Sequence, residues 1–191
     1  MGQLNFRCKE DYLNLIDKIV REANEVNGTY ELIGQVCKVL GTTEEINEIF
    51  GISYDFEREF ISAIAKFDDK QIGPYDTKKY FMLIPSIKES IIKLKDDCLE
   101  TRRCVINFPN EHCFQTIQFM VRENTIHVVC YMRSCNVIKN LPHDIWICSK
   151  MADIFSKTLS NVTDEHPYKY HSITMMFGSL HIFKEDLNNV L

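Results

Sequence analysis

From Lys9 to Asn24 apolar side chains recur every three or four positions. Tyr12, Leu13, Ile16, Ile19, Val20 and Ala23 share one side, which predicts an amphipathic helix. Asn27-Gly28 ends it, and Tyr30 to Val39 reads as a strand region. Thr42 with Glu45 makes a capping box that opens a short helix to Phe50. Ser53 begins another helix, with Phe56, Phe60, Ile61, Ile64 and Phe67 on one face. Residues 68–74 are loop by composition. Ser86 with Glu89 repeats the capping-box pattern, and Ile87, Ile91, Leu94 and Cys98 carry that helix toward Arg102-Arg103.

The second half changes period. Cys113 to Val121 and Thr125 to Ser134 are β-rich runs separated by the polar turn Arg122-Glu123-Asn124, which predicts a hairpin. A loop centred on Glu123-Asn124 places Cys113 opposite Ser134 and beside Arg133; a slip of one residue would change the face. Pro142 in a first-turn position and Asp144 just after it open a helix along Ile145, Cys148, Met151, Ile154, Phe155 and Leu159. His171 to Phe183 is a last strand. The order of elements predicts an α+β fold, a mixed or antiparallel sheet covered by helices.

Length and charge narrow the picture. A chain of 191 residues suits one domain over its whole length. With 22 Lys plus Arg against 27 Asp plus Glu it lacks the positive field of a nucleic-acid polymer binder, so a nucleotide ligand would be small. Its 8 cysteines are scattered through apolar segments with no CxxC. No apolar run approaches the roughly 18 residues of a membrane span. These features predict free thiols, a cytoplasmic setting and no membrane partner.

The hairpin juxtaposes cysteine and arginine. A free thiol is only about 3% thiolate at neutral pH, and a nearby guanidinium favours the nucleophilic anion, so Cys113 is a candidate nucleophile. On spacing alone the commoner reading is one more buried cysteine among eight, and spacing does not decide between them. Arg102, Arg103 and Arg133 with Ser134 supply the donor geometry that holds a phosphate. Arg102-Arg103 also fits a pair opposing a helix C-terminal dipole, and Asp144 a first-turn dipole partner. His112, His127 and His181 lie near cysteines without zinc-site spacing, so no metal is predicted.

The segment CFQTIQFMVRENTIHVVCYMRSCNVIKNLPHD, together with ETRRCVI and GSLHIF, resembles the thymidylate synthase family, and within it the deoxycytidylate 5-hydroxymethylase branch. The resemblance implies a thymidylate synthase-like fold. It sets Cys113 on the family's nucleophile, Arg133-Ser134 on its phosphate-binding pair and His181 on its sugar-binding histidine. Arg102-Arg103 fall on the paired arginines that cross a homodimer interface to the partner's phosphate. Glu59 in EREF falls on the active-site glutamate, and Asp144 on the position that is Asn in uridylate-using members and Asp in cytidylate-using ones.

What the resemblance implies chemically is addition of the Cys113 thiolate to C6 of a cytidylate (dCMP or CMP). C5 then attacks a one-carbon unit from 5,10-methylenetetrahydrofolate, giving a hydroxymethyl or methyl product, with Glu59 helping to position water in the hydroxymethylase branch. The alternative is a pyrimidine nucleotide-binding homologue without folate chemistry. Several positions depart from the pattern. Asn136 stands for a folate-side Asp, Phe183 for the sugar-binding Tyr, and Thr77 and Tyr80 for tryptophans that line the site, while 104–112 is much shorter than in relatives.

Overall fold

The computed structural model describes residues 3–96, 102–163 and 168–188. In chain order the elements are β1 (Gln3–Phe6), α1 (Lys9–Glu22), β2 (Asn24–Val26), β3 (Thr29–Leu40), α2 (Thr43–Phe50), α3 (Tyr54–Lys66), β4 (Gln71–Ile72) and β5 (Tyr75–Asp76). A 3-10 turn (Thr77–Tyr80) leads to α4 (Leu83–Asp96), β6 (Val105–Asn107), β7 (Phe114–Arg122), β8 (Thr125–Asn136), α5 (Leu141–Thr163), β9 (Lys169–Phe183) and α6 (Lys184–Leu187). The large sheet runs β1-β3-β9-β8-β7-β6, with β2 paired to β3. It is mixed: β1 with β3 and β8 with β9 are parallel, the remaining pairs antiparallel. The predicted α+β class is therefore what the chain adopts.

α5 is the central helix. It packs on β8 and β9, and α2 and α4 pack against it, so Ile145, Trp146, Cys148, Ala152, Phe155 and Leu159 are all buried. Phe155 stacks on Phe119 of β7 with centroids 4.4 Å apart, joining helix to sheet. Among the described residues no helix covers the opposite sheet face, where Ile33, Tyr131 and Met176 are exposed. Among the described residues no helix is long and apolar enough to cross a membrane.

Several boundaries differ from the sequence reading. Short strands β1, β2 and β6 were not foreseen, because three or four residues carry no detectable period. Asn27-Gly28, with φ of 50° and 78°, turns the chain from β2 directly into β3. Residues 68–74 contain β4 and the start of its turn into β5. Ser86 caps nothing: α4 already begins at Leu83, and the Ser86 amide donates to the Met82 carbonyl inside it. Pro85 is tolerated because the first turn leaves its amides without helical partners. Phe67 is not on the buried face but ends α3 in the left-handed region, at φ 56°, with its ring exposed. Cys98 lies outside the described residues.

One line across the sheet decides where the site falls. Burial alternates along β9 through Ile173, Met175 and Phe177, then resumes out of phase at Leu180 and Ile182. β8 does the same between Met132 and Cys135, and β7 between Ile117 and Phe114, where the register shifts. In β3 the buried Val39 and Cys37 give way to the partly buried Leu32 and Tyr30 beyond Gly34, whose φ is 64°. Gly34, Gly178, Arg133 and Gln115 thus mark a kink that runs from strand to strand. It corrects the predicted hairpin register. Beyond the bulge Cys113 lies across from Arg133, whose amide donates to the Cys113 carbonyl at 2.9 Å, rather than across from Ser134.

Candidate functional site

The bulge is what exposes the thiol. By alternation Cys113 would share the buried face with Ile117 and Phe119; instead Phe114 turns inward and Cys113 outward. Cys37, Cys104, Cys130, Cys135 and Cys148 are buried, whereas Cys113 and Cys8 are the exposed ones among the described cysteines. The buried-cysteine alternative for Cys113 therefore falls away. Its sulfur receives the Ser134 hydroxyl at 3.7 Å.

Cys113 opens into a cleft of about 330 Å³ lined also by Tyr75, Tyr80, Ser134, Asp144 and His181. Those residues come from the β4–β5 hairpin and the turn after it, the end of β8, the first turn of α5 and the end of β9. All lie on the far side of the kink. A second cavity of about 350 Å³ adjoins the first at Ser134, His181 and Phe183, and it adds Asn27, Thr29, Glu31 and Ser179.

Arg133 does not point its guanidinium at the sulfur. Its Nε donates to the His112 carbonyl at 3.0 Å and its Nη2 reaches the Glu111 carbonyl at 3.5 Å, clamping the segment that presents Cys113. Ring contacts hold the same segment: His112, buried, meets Tyr80 and Phe108 with centroids 5.5 Å away in each case. Burial, with Lys79 nearby, lowers the pKa of His112.

Asp144 is the floor of the cleft. Its Oδ1 accepts the Tyr75 hydroxyl at 2.7 Å and its Oδ2 the Cys135 thiol at 3.3 Å. Burial pushes the carboxyl up to about 7, and the two hydrogen bonds hold it from rising further. Burial and the facing carboxylate together keep the Tyr75 hydroxyl and Cys135 thiol protonated, well above their ordinary values. The first-turn position of Asp144 is thus only part of its role, since the side chain joins three elements under the cleft. Cys135 and Lys79, which the sequence reading did not select, belong to the same surroundings. For Cys135 a signal existed, because it follows Arg133-Ser134 at the same strand end.

His181 is half-buried at the junction of the two cavities, and burial lowers its pKa. Asn136 is held from both ends: its Nδ2 donates to Asp186 at 2.8 Å, and its Oδ1 accepts the Ile138 and Lys139 amides at 3.0 and 2.9 Å.

Three predicted residues stand apart. Glu59 is exposed on α3 and does not line the cleft; its neighbours Phe56 and Phe60 occupy the inward side. Arg102 and Arg103 are exposed just before the edge strand β6, away from this cleft, with the Arg102 carbonyl accepting from Gln118 at 2.7 Å. Among the described residues no three His, Cys, Asp or Glu side chains gather as metal ligands.

The solved structures include one that superposes on nearly all of this chain. A thymidylate synthase from T4 phage matches with a TM-score of 0.60 and 20% sequence identity, covering 94% of this chain and 79% of the other. The fold is that of thymidylate synthase. No family model matches the sequence, and no curated protein does. In this thymidylate synthase fold the sheet kink, the helix α5 and the hairpin β7–β8 are the parts that build the cleft around Cys113.

Proposed function

We propose that this chain is a pyrimidine nucleoside monophosphate C5 transferase, a hydroxymethyl- or methyltransferase, acting on a cytidylate through a covalent bond to Cys113. The observation that carries the proposal is one cleft in which the exposed Cys113 thiol, the Ser134 hydroxyl, the buried Asp144 carboxyl and His181 converge from separate elements. The Cys113 thiolate bonds to C6 while the C5–C6 π pair moves to C5. C5 then takes up an electrophile, and loss of the C5 proton with departure of the thiolate restores the ring.

Asp144 supports the choice of base. Its ionised form only accepts, which suits the N4 amino group of cytosine, where uracil carries a carbonyl oxygen instead. Ser134 is the phosphate-side residue of the reading, with Arg133 clamping the segment beside it, and His181 its sugar contact. A homodimer in which Arg102 and Arg103 serve the neighbouring cleft is part of the same proposal. It is supported by the absence of both arginines from the lining of this chain's own cleft and by the uncovered sheet face bearing Ile33, Tyr131 and Met176.

The electrophile in the resemblance is methylenetetrahydrofolate, and the cleft does not fit it well. Asn136 already spends its Oδ1 on two backbone amides and one amide hydrogen on Asp186, and Glu59 is outside the cleft. That observation favours, as a second reading, a nucleotide-binding homologue that lacks the folate step. Tritium release from C5-labelled dCMP, CMP and dUMP, with and without methylenetetrahydrofolate, tests both. Release from cytidylates that needs folate supports the transferase. Release without folate leaves Cys113 chemistry but removes the donor, and binding without release supports the second reading.

A further inference from the structure

Beside His181 lies a line of polar side chains that the proposed chemistry does not use. Glu31 on β3 pairs directly with His181 on β9, and Ser179 sits two residues before it on the same strand. The Ser179 hydroxyl donates to Oε1 of Glu31, and its oxygen lies 3.5 Å from Nδ1 of His181. All three line the second cavity, which opens onto the Cys113 cleft at His181.

The direction of these bonds follows from proton counting. Ser179 has one hydroxyl proton and gives it to the carboxylate, so toward His181 its oxygen can only accept. Nδ1 is then the protonated ring nitrogen, and Nε2 keeps a lone pair. Burial disfavours the imidazolium, which preserves that tautomer at neutral pH. The row therefore ends in two acceptors, His181 Nε2 and the second carboxylate oxygen of Glu31, with no donor of its own. Two neighbouring acceptors are matched by two neighbouring hydroxyl donors. A ribose offers them as its 2′,3′-diol, whereas deoxyribose offers one and leaves the carboxylate facing a C–H.

We infer that Glu31, oriented through Ser179 and acting beside His181, selects a ribonucleotide over a 2′-deoxyribonucleotide. The inference rests on the cytidylate reading of the adjoining cleft and deepens it from a base to a sugar. Glu31 is here a specificity-determining residue that touches the 2′-hydroxyl, and Ser179 a positioning residue.

Calorimetric titration of the 191-residue chain with CMP and dCMP tests it. The wild type is expected to bind CMP about tenfold more tightly or better, the scale of one hydrogen bond to a charged acceptor. Glu31→Gln should bring the two nucleotides to within about twofold of each other. Ser179→Ala, which frees the imidazole tautomer and the carboxylate orientation, should reduce the preference by a smaller factor and keeps the inference testable if the first variant does not fold. Equal affinities, or tighter dCMP, in the wild type overturn the ribose selection while leaving the cleft reading intact. A CMP preference that survives Glu31→Gln overturns the role of Glu31. No binding of either nucleotide sinks the cytidylate reading itself, and the inference with it.

Discussion

A Cβ placed on Gly178 would lie 2.7 Å from the carbonyl oxygen of Arg133 on the neighbouring strand. Real Cβ atoms do not approach backbone oxygen so closely, and because the contact is with backbone rather than a flexible side chain, a strand must shift to admit it. Gly178→Ala is therefore expected to lower unfolding stability by about 1–3 kcal/mol, the scale of overpacking in a well-filled interior. Urea unfolding measures the loss. A stability within error of wild type would show that the strands separate there at little cost.

Thiol exposure divides the cysteines sharply. Brief alkylation of the native chain followed by mass spectrometry should label Cys8 and Cys113 and leave Cys37, Cys104, Cys130, Cys135 and Cys148 protected. A 5-fluoro cytidylate should leave its adduct on Cys113 alone, because among the described cysteines it is the exposed one that lines the cleft. An adduct on Cys8 or a buried cysteine would reassign the nucleophile.

Asp144 makes stability depend on pH in a defined window. Its folded pKa of about 7 lies above the ordinary 3.8, so between those values the folded chain holds a proton that the unfolded chain has released. This contribution is fully present below about pH 3.8 and is lost as pH rises through about 7. Urea midpoints for wild type and Asp144→Asn across pH 4 to 8 should diverge, with the variant lacking that part of the decline. Parallel curves would contradict the raised carboxyl pKa. The same variant should shift relative preference from cytidine toward uridine monophosphate by about 1–3 kcal/mol, one base contact. An equal effect on both nucleotides would remove Asp144 from base reading.

The proposed sharing of sites between subunits has its own test. Mixing inactive Cys113→Ala and Arg103→Ala subunits should restore some C5 exchange in heterodimers, since one of the two clefts then has both an intact thiol and an intact partner arginine. No complementation despite demonstrated subunit exchange would count against shared phosphate pockets.

Much of this architecture could be read along the chain. Periodicity alone located α1, α2, α3, the β7–β8 hairpin, α5 and β9 within a few residues, because each is long and amphipathic or bounded by turn residues and caps such as Thr42 and Ser53. Resemblance in the segment around Cys113 and Arg133-Ser134 pointed to a thymidylate synthase fold, which superposition shows. Sequence could not supply the kink. Strand alternation is a local rule, and it buries Cys113; the bulge that reverses it lies in the β7–β8 pairing between Phe114 and Thr116, one strand away from the close approach of Gly178 to the Arg133 carbonyl. Likewise the helical pattern of α3 cannot tell which neighbour each face meets, so Glu59 emerges on the outside. Tyr75, Cys135 and Asp144 form a buried triad only because β4–β5, β8 and α5 close over the same point. Composition and period determined which elements form, since those depend on neighbours within a few residues. Long-range packing decided which side chains share a cleft and the raised carboxyl pKa at its floor, since burial is a property of the assembled layers.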